Sequence, residues 1–336
     1  MLDPVDGAGA SGGGGEIAVA AQPTYSGPPQ HRFSFHGTGG AFFAIVLKNV
    51  VLTILTLGIY APWAKTIRRQ FLWQNTEVAG HRLRYHGTGR ELLVGYIKVA
   101  LGYAVIFGIP QLITHFVSPE VGVFAQFAAV IVILPLIPFA IWGSRRYLLS
   151  RTSWRGIRLR LEGPAGPYVK AFFLGYLLTL VTLGIYGPIW MNQMHRISLN
   201  ASGVGTKKLE YKGDDKEVWT LSIKGMALTL LTCGIYYPWY LADLTRYQMA
   251  NTWFDGAHGE LKLTGSDVFQ LLVLQIFGVS MTMGLAFPWI TTYSLQFTMA
   301  RLRFVGPIDF AHIYQANSEG SATADGLADA LDVGVL

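Results

Sequence analysis

The chain has 336 residues, of which 51% are hydrophobic and only 14% are charged, and its mean hydropathy is +0.36. A water-soluble protein carries far more charge than this, so the composition indicates a membrane protein. The net charge of +6 lies in clusters beside apolar runs, which argues against a nucleic-acid-binding face, and the one cysteine, Cys233, excludes a disulfide framework and a cysteine-based zinc site.

Six apolar segments dominate the chain between two tails. Residues 1–32 are rich in Gly, Pro, Ala and Ser, and residues 313–336 are small and acidic, so we predict that both are disordered. Crossing the hydrocarbon core requires about 20 apolar residues in a helix. Segments of that length occupy approximately residues 40–63, 92–117, 121–142, 168–190, 218–240 and 268–289. The predicted fold class is therefore mainly α, a polytopic membrane domain (residues 33–312) with about six transmembrane helices.

Charge in the short loops gives a conflicting picture of orientation. Arginine-rich loops follow the first and third predicted spans, and cytoplasmic loops carry an excess of Lys and Arg. With six crossings both tails would then lie outside. The loop after the fourth span, with Lys207, Lys208 and Lys212, is also basic, yet the alternation places it outside.

A junction at the end of several spans is repeated. Pro188, Pro238 and Pro288 are 50 residues apart, and a glycine precedes each of them by four residues. We interpret the period as about five units of strand, membrane helix, junction and basic helix, with about 26 additional residues, one more span, in the second unit. The junction motif comprises Gly58, Tyr60, Pro62, Trp63, Lys65, Arg68 and Arg69, then Gly184, Tyr186, Pro188 and Arg196, and then Gly234, Tyr236, Pro238, Trp239 and Arg246.

Each part of the junction has a physical role in this interpretation. Proline ends or kinks the span, and Tyr and Trp favour the headgroup level. The basic helix that follows either lies in the interface, where its arginines bind anionic headgroups, or packs on a neighbouring helix. The expected partner is therefore the lipid bilayer, with anionic headgroups, and not nucleic acid.

The stretch TLGIYAPWAKTIRRQFLWQNTEVAGHRLRYHGTG, residues 56–89, resembles the signature of the YjgN-like bacterial inner-membrane proteins, a domain of unknown function. The resemblance extends from Phe33 to about Phe310, although the second and fifth copies depart from the signature. It implies a multi-pass protein of the bacterial inner membrane and brings no activity with it.

Candidate binding residues are few. Lys48 and Lys224 each lie within a predicted span, fourteen residues before its junction proline. Such lysines either extend to the interface or face inward and pair with a substrate anion. The HGTG sequences at His36 and His86 suggest either a phosphate-binding loop or a glycine turn before a capping threonine.

The sequence contains no nucleophile–base motif and no histidine spacing typical of a metal site, so we expect no enzyme activity, metal or cofactor. The repeated architecture favours a transporter or channel for a small solute. The alternative is a non-transporting scaffold or a protein that interacts with anionic lipids.

Overall fold

A computed structural model describes residues 28–315, in which helices and short strands follow one another in a recurring order. The predicted tails lie outside this range, apart from residues 28–32 and 313–315. Strand β1 (Gln30–Phe35) comes first. Unit 1 has helices α1 (Gly39–Leu55) and α2 (Ala61–Asn75) and strands β2 (Thr76–Val78) and β3 (His81–Tyr85). Unit 2 has α3 (Gly89–Phe116), α4 (Pro119–Ile133), α5 (Leu136–Ser150), β4 (Thr152–Trp154) and β5 (Ile157–Leu161).

The three later units have the same order of elements. Unit 3 contains α6 (Gly166–Val181), α7 (Gly187–Asn200), β6 (Ser202–Val204) and β7 (Lys207–Tyr211). Unit 4 contains α8 (Asp215–Leu231), α9 (Tyr237–Ala250), β8 (Thr252–Phe254) and β9 (Ala257–Leu261). Unit 5 contains α10 (Gly265–Met281), α11 (Phe287–Met299) and β10 (Leu302–Val305), and β1 supplies its second strand.

The ten strands form one closed antiparallel barrel in the order β1-β10-β9-β8-β7-β6-β5-β4-β3-β2. Pairing of β1 with β10 joins His31 to Phe304 and closes the ring between the two ends of the described chain. Closure leaves no free strand edge, so strands of three to six residues keep their ladder hydrogen bonds.

The closed barrel has one helical end and one turn end. Neighbouring strands are antiparallel, and each unit enters and leaves its strand pair through helices. The strand ends that join helices therefore lie at the same rim, and the tight turns within the strand pairs lie at the opposite rim. All five groups of helices leave the barrel from one end.

The prediction of about six transmembrane helices is wrong. Four of the predicted spans, residues 40–63, 168–190, 218–240 and 268–289, contain a turn at which the chain reverses and a second helix returns to the barrel. The hydropathy pattern does not reveal these reversals, because each turn is as apolar as the helices on either side of it. The description as mainly α also omitted the barrel: the predicted strand-like connectors pair with one another around a full circle.

Unit 2 alone among the described units has helices long and apolar enough to cross a membrane. They are Gly89–Phe116 and the pair α4–α5, which together cover Pro119–Ser150. Only 11% and 17% of their most apolar windows are buried within the molecule, so most of this apolar surface faces outward. The first helices of units 1, 3 and 5 are shorter, with 16 or 17 residues.

An apolar core fills the barrel. Trp154 and Phe254 are its buried members from the strands, and Ile313 from the end of the described chain belongs to the same cluster. The segment 306–315 crosses the turn end: the Thr206 hydroxyl donates to the His312 carbonyl at 3.2 Å, and the Arg155 guanidinium donates to the Phe310 carbonyl at 3.2 Å. The C-terminal segment therefore covers the turn end of the barrel.

The crossing segment affects the turn glycine of unit 3, which comes one residue earlier in the repeat than in the other units. The strand turns of units 2 and 4 place a residue and then a glycine at positive φ, as at Arg155 and Gly156. Both positions of such a turn need positive φ, which glycine adopts without strain. In unit 3 the glycine comes one residue early, and Gly205 alone in that turn has positive φ, at 54°. A side chain at Gly205 would also collide with the Tyr314 carbonyl of the crossing segment.

Candidate functional site

The junctions reverse the chain by one repeated turn. Helix α1 ends with Leu57 and Gly58 at φ values of 50° and 92°, and the Gly58 amide donates to the Thr53 carbonyl at 2.8 Å. The Thr56 hydroxyl then accepts from the Tyr60 amide at 3.0 Å, which starts α2. This bonding satisfies the carbonyls at the helix end and gives the glycine its left-handed conformation. The signal in the sequence is a helix-ending glycine, and it marks a reversal of the chain where the sequence predicts an exit from the membrane.

The tips of these helical hairpins are apolar and almost fully exposed. Leu57 is 94% exposed, Leu183 93% and Met283 96%, and Cys233 occupies the corresponding exposed position in unit 4. The sequence has no charged residue within five positions on either side of any of these four residues. The tips therefore form an apolar rim around the helical end of the molecule.

The proline and tryptophan of the motif pack neighbouring units together. Each junction proline is buried in the first turn of a returning helix, where its missing N–H is not needed. Trp63 lies against Gly89 of unit 2, Trp239 against Gly265 of unit 5, and a Cβ at either glycine would approach the indole within 3.0 Å. Trp289 makes the same contact with Gly39 of unit 1 and so closes the ring of helices.

Most basic residues of the motif have structural partners. The Arg196 guanidinium donates to the Gly213 carbonyl at 2.7 Å and to the Asp215 carboxylate at 2.8 Å, which joins units 3 and 4. Arg146 donates to the Gly163 carbonyl in the same manner, and Gln296 takes this place in unit 5 with a 3.0 Å bond to the Gly37 carbonyl. These side chains hold the turn that leads from each strand into the next helix.

The remaining motif residues differ in exposure. Lys65 and Arg69 are buried, at 6% and 3% exposure, and Arg69 lies 5.8 Å from the centre of the Tyr85 ring. Arg68 is exposed, and Arg246 pairs with Asp243 on its own helix. The helix after the first junction thus packs on its neighbours through two of its three basic residues.

The two candidate substrate-binding lysines are not brought together. Lys48 on α1 and Lys224 on α8 are both exposed and belong to units 1 and 4, which unit 5 separates in the ring. Lys224 lines a cleft of about 480 Å³ between α8 and α9, with Lys216, Glu217, Tyr240 and Asp243 among its walls. The structure therefore places Lys224 in a cleft with polar walls.

The HGTG sequences end in helix caps. The Thr38 hydroxyl accepts from the Ala41 amide, and the Thr88 hydroxyl accepts from the Glu91 amide at 3.3 Å, as the capping interpretation predicts. Over residues 28–315 no group of three or more His, Cys, Asp or Glu side chains could hold a metal ion.

Comparison with known sequences places the chain in a family. A family profile described as "Bacterial protein of unknown function (DUF898)" matches residues 30–225 and 240–330. The chain belongs to this family. No solved structure matches it.

Curated relatives carry the name "Inner membrane protein YjgN". The Escherichia coli K12 relative is 36% identical over 153 residues, which cover 45% of this chain and 36% of the relative. The Salmonella typhimurium relative is 30% identical over 172 residues, which cover 48% of this chain and 42% of the relative. The matched region thus spans less than half the length of these relatives. The resemblance to YjgN-like proteins and the location in the bacterial inner membrane are confirmed.

Proposed function

We propose that the protein is a non-transporting scaffold of the inner membrane that inserts its helical hairpins from the cytoplasmic side and binds anionic headgroups near its barrel. The observation that carries this proposal is the return of every unit to the barrel. Because both ends of each hairpin are attached to one rim of a closed barrel, the hairpin tips all point the same way.

Exposure of the tips supports membrane insertion. Residues such as Leu57 and Leu183 are more than nine-tenths exposed, and water would make contiguous apolar surface of this kind unfavourable. In hydrocarbon the same surface has no such cost. The closed hydrogen bonding of the junction turn also suits lipid, because no water is available there to satisfy backbone groups.

Helix length divides the units into two kinds. A helix of 17 residues such as α1 is about 25 Å long, which is short of a hydrocarbon core of about 30 Å. Helix α3, with 28 residues, is about 42 Å long and ends near His115, Ser118 and Glu120. The proposal therefore has unit 2 crossing the bilayer with a polar tip at the far headgroups, while the other hairpins enter and return.

Distribution of charge supports the cytoplasmic orientation. Every unit has basic residues on its strands or at its helix ends, at the barrel, and Lys207 and Lys208, which six crossings would separate from the others, are among them. Lys48, Lys98 and Lys224 lie within helices instead. Cytoplasmic segments near the membrane are enriched in Lys and Arg. The proposal therefore places the barrel, with both ends of the described chain, in the cytoplasm beside the anionic leaflet.

Cysteine labelling with a membrane-impermeant maleimide tests this arrangement. The native Cys233 should remain unlabelled in both intact spheroplasts and inside-out vesicles and should react after detergent is added. In a Cys233→Ser background, Glu120→Cys should be labelled in spheroplasts, and Lys208→Cys only in inside-out vesicles. Labelling of Cys233 from either side, or of Lys208→Cys in spheroplasts, would refute the proposed insertion.

The binding part of the proposal needs a separate measurement. The protein is extracted gently from membranes of mixed phosphatidylglycerol and phosphatidylethanolamine, and its retained lipids are quantified by mass spectrometry. Enrichment of phosphatidylglycerol over the bulk membrane is expected. Retained lipid with the bulk composition would contradict an anionic-lipid role.

A transport role is the second candidate, favoured by the cleft around Lys224. Its mixed lining of Lys216, Glu217, Asp243 and two tyrosines suits a small polar solute. Flux in proteoliposomes that Lys224→Ala abolishes and Lys48→Ala does not would support this role. Absence of flux across a broad panel of solutes would favour the scaffold.

A further inference from the structure

A cationic cleft lies on the outer face of the barrel where units 1 and 2 meet. Its volume is about 720 Å³, and it is lined by His81, Arg82, Arg84, His86, Ser153, Arg155, Gly156 and Arg158. No acidic residue belongs to the lining. The cleft is therefore a concave surface of one charge sign, which is the arrangement that attracts an anion.

Strand register places the central residues of the cleft in one row. Arg84 on β3 is opposite Ser153 on β4, and Ser153 is opposite Arg158 on β5. Adjacent strands are about 4.8 Å apart, so the two arginine backbones are about 10 Å apart with a small hydroxyl residue between them. Two guanidinium groups on long side chains can converge over that hydroxyl, and each can bind two oxygens of one phosphate.

Several basic residues of the barrel pair with carboxylates, whereas Arg84 and Arg158 do not. Lys207 pairs with Asp255 at 2.7 Å, Lys208 with Glu162 at 2.6 Å, and Arg303 with Glu260 at 2.7 Å. Within the described residues, the side chains of Arg84 and Arg158 form no hydrogen bond or ion pair.

The nearest carboxylate across the strands does not neutralise the cleft. Glu77 is opposite Arg82 but binds His36 at 2.9 Å, on the side away from Arg84. Arg155 is held at the rim by its bond to the Phe310 carbonyl. Two guanidinium groups consequently remain available to a ligand.

His86 adds a further polar group to the cleft, and the neighbouring arginines affect its pKa. The His86 imidazole is 2.8 Å from the Ser153 hydroxyl. Burial, and then the positive charges of Arg158, Arg84 and Arg151, lower the pKa of His86 below its ordinary value of 6.5. His86 is therefore neutral at pH 7 and can donate one hydrogen bond without adding to the repulsion between the arginines.

The cleft also lies beside the membrane-crossing unit. His86 is three residues before the start of α3 at Gly89, and Ser153 is three residues after the end of α5 at Ser150. Because α3 and α5 are the two limbs of the long hairpin, the cleft lies where that hairpin joins the barrel.

We propose that this cleft is a binding site for a phosphate group, held by bidentate contacts from Arg84 and Arg158 and by the Ser153 hydroxyl. A phospholipid headgroup and a soluble phosphorylated compound offer the same oxygens. Only the lipid source rests on the proposed function, since it requires the barrel to lie beside the anionic leaflet.

The test uses the full chain in detergent and in nanodiscs. One arm measures binding of inorganic pyrophosphate to the detergent-solubilised protein by calorimetry, and the other measures phosphatidylglycerol retained from mixed nanodiscs by native mass spectrometry. The site variant is Arg84→Gln/Arg158→Gln. The matched control is Lys212→Gln/Lys262→Gln, which removes the same charge near Glu210 and Glu260 on the far side of the barrel.

We expect the site variant to lose about tenfold or more in affinity in at least one arm, while the control changes less than about twofold, because only the site variant loses the bidentate, charge-assisted hydrogen bonds to the phosphate. A loss only with nanodiscs identifies a lipid headgroup, and a loss only with pyrophosphate identifies a soluble compound. Equal behaviour of both variants in both arms overturns the proposal.

Two further comparisons keep the result interpretable. If the glutamine variant does not fold, Arg84→Lys/Arg158→Lys retains the charge but removes the planar fork, and weaker binding than wild type is still expected. If wild type binds pyrophosphate through these arginines yet shows no preference for phosphatidylglycerol, the anionic-lipid scaffold fails while the phosphate site stands.

Discussion

Gly37 offers a direct test of how the strand-to-helix turns are packed. A Cβ at Gly37 would lie 2.6 Å from Cζ and 2.7 Å from Cε1 of Phe35, and contacts under 3.0 Å are essentially never observed. Phe35 is only 6% exposed, so its ring cannot move into solvent. Overpacking of this kind costs about 1–3 kcal/mol, and we expect Gly37→Ala to lower the free energy of unfolding by that amount.

The strand-to-helix turn after β9 shows how the constraint is relieved. Tyr211 and Gly213, after β7, repeat the arrangement of an aromatic residue and a glycine, whereas the end of unit 4 has Leu261 and Leu263 at the same places. Phe35→Leu should therefore remove the two closest contacts and leave only Phe71 Cε1 at 3.1 Å, so that adding Gly37→Ala to Phe35→Leu should cost much less stability than adding it to the wild-type protein. The coupling between the two changes should be about 1–3 kcal/mol in favour of the double variant.

Unfolding of the detergent-solubilised variants, followed by far-ultraviolet circular dichroism, measures this cycle. Gly40→Ala is the control, because no heavy atom lies within 4 Å of its added Cβ, and a helical alanine should stabilise by up to about 1 kcal/mol. Additive losses in the double variant would refute the packing argument.

Three other predictions concern the junction, the contacts between units and pH. Thr232→Val removes the acceptor of the Tyr236 amide and should cost about 0.5–2 kcal/mol in the same unfolding assay. Trp239→Ala removes the indole that packs on Gly265 and should increase amide hydrogen exchange in α9 and α10 more than in α1 and α2. The lowered pKa of His86 means that the unfolded chain binds a proton below about pH 6.5 while the folded protein does not. Stability should thus be complete above pH 6.5 and fall as the pH decreases towards the folded pKa, and His86→Asn should reduce this slope in phosphate-free buffer; an unchanged slope would contradict the environment assigned to His86.

Several features could be predicted from individual residues. The apolar composition and the family signature indicated an inner-membrane protein, and Thr38 and Thr88 were recognisable as helix caps after glycine. The closing glycines and alternating residues marked the strands, because such local signals depend on backbone conformation within a few residues.

Other features depended on contacts that no local pattern shows. The run from Gly40 to Trp63 is long enough to cross a membrane, but the bond from the Gly58 amide to the Thr53 carbonyl reverses it within that length. A hydropathy window averages over such a turn, since Leu57 and Ile59 are as apolar as their neighbours. Six crossings were the natural interpretation of a pattern that contains five returning hairpins.

The sequence by itself determined that the chain is a membrane protein, where the strands turn into the helices that follow them, and which residues recur. Only the tertiary structure decided that the strands close into a barrel, because β1 and β10 are separated by most of the chain and pair when every unit has returned to one rim. The row of Arg84, Ser153 and Arg158 exists for the same reason: strand register is set by closure of the ring, and closure is a property of all ten strands together.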